Sequence, residues 1–123
     1  MTIKAANNDN LQKLSQRILS AWQSGHGGSA DIAHLLTGKD SMAVIIPRAL
    51  YQAEIELFKN TPGSAKILDQ YLRSLVDAIS DDLQQEIETI AGRGIKEVVP
   101  IVDLKGGYIT AFFRFEATEL ELS

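Results

Sequence analysis

The chain has 123 residues and a net charge of −4, from 12 Lys and Arg against 16 Asp and Glu, and so lacks the positive footprint that non-specific nucleic-acid binding needs. It has no cysteine, which excludes disulfides, thiol nucleophiles, Cys-ligated zinc and iron–sulfur clusters. With 45% apolar and 23% charged residues it has the composition of a folding chain, and at this length about two-thirds of the unfolded surface is buried on folding.

Residues 1–9 are polar, which predicts a flexible N-terminus. They lack the apolar stretch of a signal peptide. No apolar run approaches the roughly 20 residues of a membrane span. A cytoplasmic location and no direct membrane insertion are therefore expected. Asn8, Asp9 and Asn10 are all good helix N-caps. Leu11, Leu14, Ile18 and Trp22 then recur at spacings of three and four, which predicts an amphipathic helix. Gly25-His26-Gly27-Gly28-Ser29 stops it.

Asp31 to Leu36 and Met42 to Ile46 are short apolar runs around the polar turn Thr37-Gly38-Lys39-Asp40-Ser41, the pattern of a β-hairpin. Val44-Ile45-Ile46 is β-branched and belongs to the inner strand of the pair. Pro47 ends that strand. Leu50, Ala53, Leu57 and Phe58 fit a short helix face. Thr61 as N-cap with Pro62 at the first helical position starts the next helix. From Ser64 to Ala91 an apolar stripe (Ile67, Leu68, Tyr71, Leu72, Leu75, Ile79, Leu83, Ile87, Ile90) predicts one long helix. Gly92-Arg93-Gly94 stops it.

Ile95 to Asp103 and Tyr108 to Glu116 flank the turn Lys105-Gly106-Gly107 and form a second hairpin. Strand parity puts Ile109, Ala111, Phe113 and Phe115 on one face, and Tyr108, Thr110, Phe112 and Arg114 on the other. The order is α-β-β-α-α-β-β. The expected fold is α+β: an antiparallel four-stranded sheet made from two hairpins, with helices on one face. Residues 10–116 read as one domain and 117–123 as an acidic tail.

Few constellations carry chemistry. The Gly25–Ser29 loop could cradle an anion through its N–H groups, but no strand precedes it and it has no phosphate-loop lysine. It reads as a helix stop. His26, Asp31 and His34 lack metal-ligand spacing. His26 is expected to be exposed and His34 to be a partly buried strand residue. There is no Gly-x-Ser-x-Gly elbow. No cofactor or metal is expected, and no catalytic set. Asp81, Asp82 and Glu86 belong to an acidic helix face that could meet a basic partner. Their position late in a long helix opposes the helix dipole. Tyr108, Phe112 and Arg114 would form an adhesive patch if their face is open.

Val44-Ile45-Ile46, Leu50, Ala53-Glu54, Leu57, Gly63, Arg73, Gly92 and Asp103 together resemble the MpsC-like family of small bacterial proteins, named after a component of a sodium-translocating, membrane-potential-generating system. The likeness covers about residues 10–116 and rests on the order and spacing of elements. Leu50, Ala53 and Glu54 match the family's Gly-x-Leu-Thr-Pro-Ala-Glu turn. Arg48 stands where that turn has glycine, and Tyr51-Gln52 where it has Thr-Pro. The resemblance implies a non-enzymatic accessory or regulatory protein serving a membrane ion or inorganic-ion transport system, with a membrane-associated protein partner. It supplies no catalytic residue.

The long stripe and the aromatic strand favour a homodimer. A different reading is a small-anion sensor, with Arg48, Tyr51 and Arg114 lining a pocket between helix and sheet.

Overall fold

In a computed structural model of the chain, residues 8–27 and 30–117 are described. The elements run α1 (Asn8–Gly25), β1 (His34–Thr37), β2 (Ser41–Ile46), α2 (Gln52–Asn60), α3 (Ser64–Asp82), α4 (Gln84–Ala91), β3 (Ile95–Asp103) and β4 (Tyr108–Phe115). The expected flexible N-terminus through residue 7, Gly28-Ser29 of the glycine loop, the side chains of Asn8, Asp9 and Leu11, and residues 118–123 of the acidic tail lie outside the described residues.

The two hairpins join into one antiparallel sheet of order β1-β2-β4-β3. This is the expected α+β fold, with four strands from two hairpins. β2 is interior, as its β-branched run predicts. Its pairing with β4 sets Met42 opposite Phe113, Val44 opposite Ala111 and Ile46 opposite Ile109. All six are buried, because side chains two apart on a strand share a face. On the other side of β4, Val98, Pro100 and Val102 oppose Phe113, Ala111 and Ile109. β3 is an edge strand, where Pro100 with its missing N–H is tolerated.

The helices pack on this inner face. Leu14, Ile18 and Trp22 of α1 are buried, and the Trp22 indole donates to the Ala49 carbonyl at 3.2 Å. Opposite them stand Leu68, Leu72 and Val76 of α3, then Leu83, Ile87 and Ala91. Full burial of side chains of this size contributes roughly 1.5–3 kcal/mol each.

Three expectations about the helices need correction. The long helix is broken at Leu83, whose φ of −101° and ψ of 8° depart from helical values. Asp81 and Asp82, poor helix formers, end α3, and Leu83 drops into the core. Second, the buried line is Ser64, Leu68, Leu72, Val76 and Ser80, so the stripe is rotated from the expected one. Ile67 is 71% exposed and Tyr71 is also exposed. Small serines hold core positions because their hydroxyls bond to backbone within the chain: Ser80 to the Val76 carbonyl at 2.8 Å, and Ser64 to Thr61 at 2.7 Å. Third, Thr61 closes α2 by donating its N–H to the Leu57 carbonyl. The residue preceding α3 is Gly63, whose φ of 82° is easy for glycine.

Candidate functional site

α1 ends in a polar cluster built around a buried histidine. The His26 N–H continues the helix by donating to the Trp22 carbonyl at 2.8 Å. Its ring is stacked on Trp22, centroids 4.8 Å apart, and lies 4.9 Å from Tyr51. The His26 side chain is 1% exposed, and its Nε2 is 2.8 Å from Glu54 Oε1. That corrects the expectation of an exposed His26. It sits one turn beyond Trp22 on the buried side of α1, and a carboxylate meets it there.

Glu54 is the third residue of α2. Its Oε1 also accepts the Tyr51 N–H at 2.8 Å, the return arm of a capping box. One carboxylate therefore caps α2 and holds the end of α1. Gly27 lies under the Tyr51 hydroxyl. A Cβ there would be 2.0 Å from that oxygen, and the φ of 84° favours glycine as well.

A carboxylate that orients an imidazole is half of a general-base arrangement. The other half would be a reacting group at the free ring nitrogen. Here Nδ1 is buried and has no hydrogen-bond partner among the described residues. With Glu54 ionised, the ring hydrogen sits on Nε2 and donates to it. The arrangement is a clasp between α1 and α2. Sequence reasoning missed it because the partners are 28 residues apart.

The three residues of the anion-sensor reading do not converge. Arg48 follows β2 with a φ of 52°, and its Nη2 lies 2.5 Å from Asp31 Oδ1. Tyr51 caps the cluster just described. Arg114 opposes Ser41 at the far end of β2, roughly 17 Å away by strand rise. It lies on the sheet face away from the helices and pairs with Glu97 at 3.0 Å. The cavity between helices and sheet is about 20 Å³ and is lined by Trp22, Val76, Leu83, Phe113 and other mainly apolar residues. That is room for about one water.

The other arginines serve the fold. Arg73 pairs with Asp69 at 2.7 Å and donates to the Pro100 carbonyl. Arg93 is buried and donates to the carbonyls of Lys39 and Glu116. It ties the β1–β2 turn to the end of β4.

The break at Leu83 explains the acids. Asp81 and Asp82 are exposed at the end of α3. Glu86 falls in the first turn of α4, where the helix dipole favours a negative charge. It pairs with Arg17 of α1 at 3.3 Å. Glu88 accepts the Ile95 N–H at 2.6 Å and so starts β3. Among the described residues no group of three metal-ligating side chains comes together. His34 is exposed, not partly buried, because β1 is an edge strand and His34 faces away from the helices.

Two apolar surfaces stay open among the described residues. One is the outer face of the sheet, which holds Tyr108 and Phe112. The other is a groove between α2 and α3 lined by Leu57, Pro62, Ile67, Leu68 and Tyr71, with Leu57, Ile67 and Tyr71 exposed. Comparison with protein-family models, characterised proteins and solved structures returned no match.

Proposed function

We propose that the protein is a non-enzymatic accessory or regulatory protein that works by contact with other proteins, as a homodimer, and serves a membrane ion or inorganic-ion transport system. The observation that supports contact is the α2–α3 groove. An isoleucine 71% exposed on a helix, beside Leu57, Pro62 and Tyr71, is a surface that gains by being covered. The transport role follows the MpsC-like resemblance. Among the described residues no helix is long and apolar enough to cross a membrane, so in this reading the membrane component is the partner.

The test is affinity capture from solubilised membranes of the source organism, with wild type beside Ile67→Glu. Wild type should retain a transport component that Ile67→Glu loses. Equal capture by both, or retention of no transport component, refutes the reading. The anion-sensor alternative has weaker support, since Arg48 and Arg114 are far apart and each faces a carboxylate. A thermal-shift series with phosphate, bicarbonate and carboxylates tests it, because a ligand that binds only the folded state raises the melting temperature.

A further inference from the structure

The sheet's outer face has the layout of an interface centre. Phe112 on β4 has Ala43 on one side and Val99 on the other, and Leu36 continues that row onto β1. The adjacent row sets Ile45 and Ile101 on either side of Thr110. An apolar row and a mixed row, the second carrying Thr110 between its isoleucines and the exposed His34 beside Ile45, thus cross the middle of the face. Leu36 is 59% exposed and Ile101 is exposed. Charge is confined to the ends: Arg114 with Glu97 at one, Asp103 at the other. An apolar centre with a polar rim is the anatomy of a protein–protein contact.

We propose that this face pairs with the same face of a second copy of the chain, sheet against sheet. The proposal deepens the homodimer of the preceding section by assigning its surface.

Three observations select a second copy. The first is area. Strands of 4, 6, 8 and 9 residues, at about 3.3 Å per residue and 4.8 Å apart, give a flat footprint of roughly 430 Å². Two such faces come near the ~1,000 Å² total at which specific interfaces begin, before side-chain relief is counted. The second is charge. Arg114 is already matched by Glu97 at 3.0 Å, and Asp103 accepts the Gly106 N–H at 2.9 Å, so no uncompensated cluster asks for a partner of opposite sign. The exposed acids Asp77, Asp81, Asp82 and Glu86 sit on α3 and α4. Pairing through the sheets keeps the repelling helical layers on the outside. The third is the edges. Pro100 interrupts the donor row of β3, and β1 has only 4 residues, so the edges are poor sites for strand addition. Sheets packed face to face sit about 10 Å apart with interleaved side chains.

The experiment is light scattering after size exclusion on the full chain at about 100 µM, well above a micromolar dissociation constant. Wild type should run at twice the 13.5 kDa chain mass. Phe112→Asp, or the more exposed Leu36→Lys if that variant does not fold, should run at the single-chain mass with an unchanged circular-dichroism spectrum. Dimer affinity should fall by at least about 100-fold, since a charge then stands unpaired in the buried centre.

A monomeric wild type overturns the proposal, including one whose face is covered by residues 1–7 or 118–123. So does a dimer that survives both Phe112→Asp and Leu36→Lys, or one broken by Ile67→Glu. The two readings fail separately. A monomer that still captures a transport component through Ile67 sinks the sheet pairing and the homodimer with it, and leaves the accessory role standing. An intact dimer that captures none sinks only the accessory role.

Discussion

Removing the Glu54 carboxylate should destabilise the fold by about 3 kcal/mol. Its Oε1 lies 2.8 Å from two donors, the Tyr51 N–H and His26 Nε2. Losing the capping contact costs about 1 kcal/mol. Losing the histidine contact costs about 2 kcal/mol, because a ring 1% exposed, whose Nδ1 is already unpartnered, is left with no partner for its N–H. In a chain of this length about 1 kcal/mol moves the melting temperature by roughly 4 °C, so Glu54→Ala should melt about 12 °C early. Urea unfolding measures the free energy directly, with the midpoint shifted and the slope unchanged. His26→Phe supplies the control. It keeps an aromatic ring between Trp22 and Tyr51 and leaves no polar atom to desert. In that background Glu54→Ala should cost only the capping contact, about 1 kcal/mol. The cycle then gives a coupling of about 2 kcal/mol. Equal costs in the two backgrounds would show that the His26–Glu54 bond contributes nothing, and the clasp would be wrong.

Other consequences follow from single positions. Gly27→Ala should cost about 1–2 kcal/mol through its left-handed φ, and more through displacement of the Tyr51 hydroxyl. In a Tyr51→Ala background only the backbone part should remain in urea unfolding. Arg48 has a φ of 52°, so Arg48→Gly should be more stable than Arg48→Ala by about 1 kcal/mol, the reverse of the order inside a helix. Thermal melts of the two variants decide it. Phe113 is 1% exposed at the centre of the inner sheet face, and Phe113→Ala should cost about 3–5 kcal/mol in chemical denaturation.

Much of the fold was legible because it is local. Alternation over Met42–Ile46 and Ile109–Phe115 marks strands, and the glycine turns between apolar runs pair them into hairpins. The same parity put Tyr108, Phe112 and Arg114 on one face, which is where they stand. The spacing of Leu14, Ile18 and Trp22 marked the buried side of α1. None of this needs a contact beyond a turn or a hairpin.

The candidate site was not legible for the opposite reason. The clasp joins His26 to Glu54 across 28 positions, and neither residue carries a local mark of it. Histidine in a glycine-rich stretch looks exposed until the helix before it is seen to carry it inward. The acids after Ser80 looked misplaced in one helix because the pattern cannot register a break at Leu83, where a leucine fits the apolar stripe whether the helix continues or ends. The anion-sensor trio is not brought together, because Arg48 and Tyr51 follow one end of β2 while Arg114, on β4, pairs with Ser41 at its other end.

Composition and periodicity determined an acidic, cysteine-free α+β chain with two hairpins and an amphipathic helical layer. Tertiary structure alone decided that β2 pairs with β4, that α3 turns Leu68 rather than Ile67 to the core, and that one sheet face stays open among the described residues. Periodicity reports the repeat that each segment prefers by itself. Which of several compatible faces is buried depends on long-range packing, where the free energy belongs to pairs of segments rather than to either one.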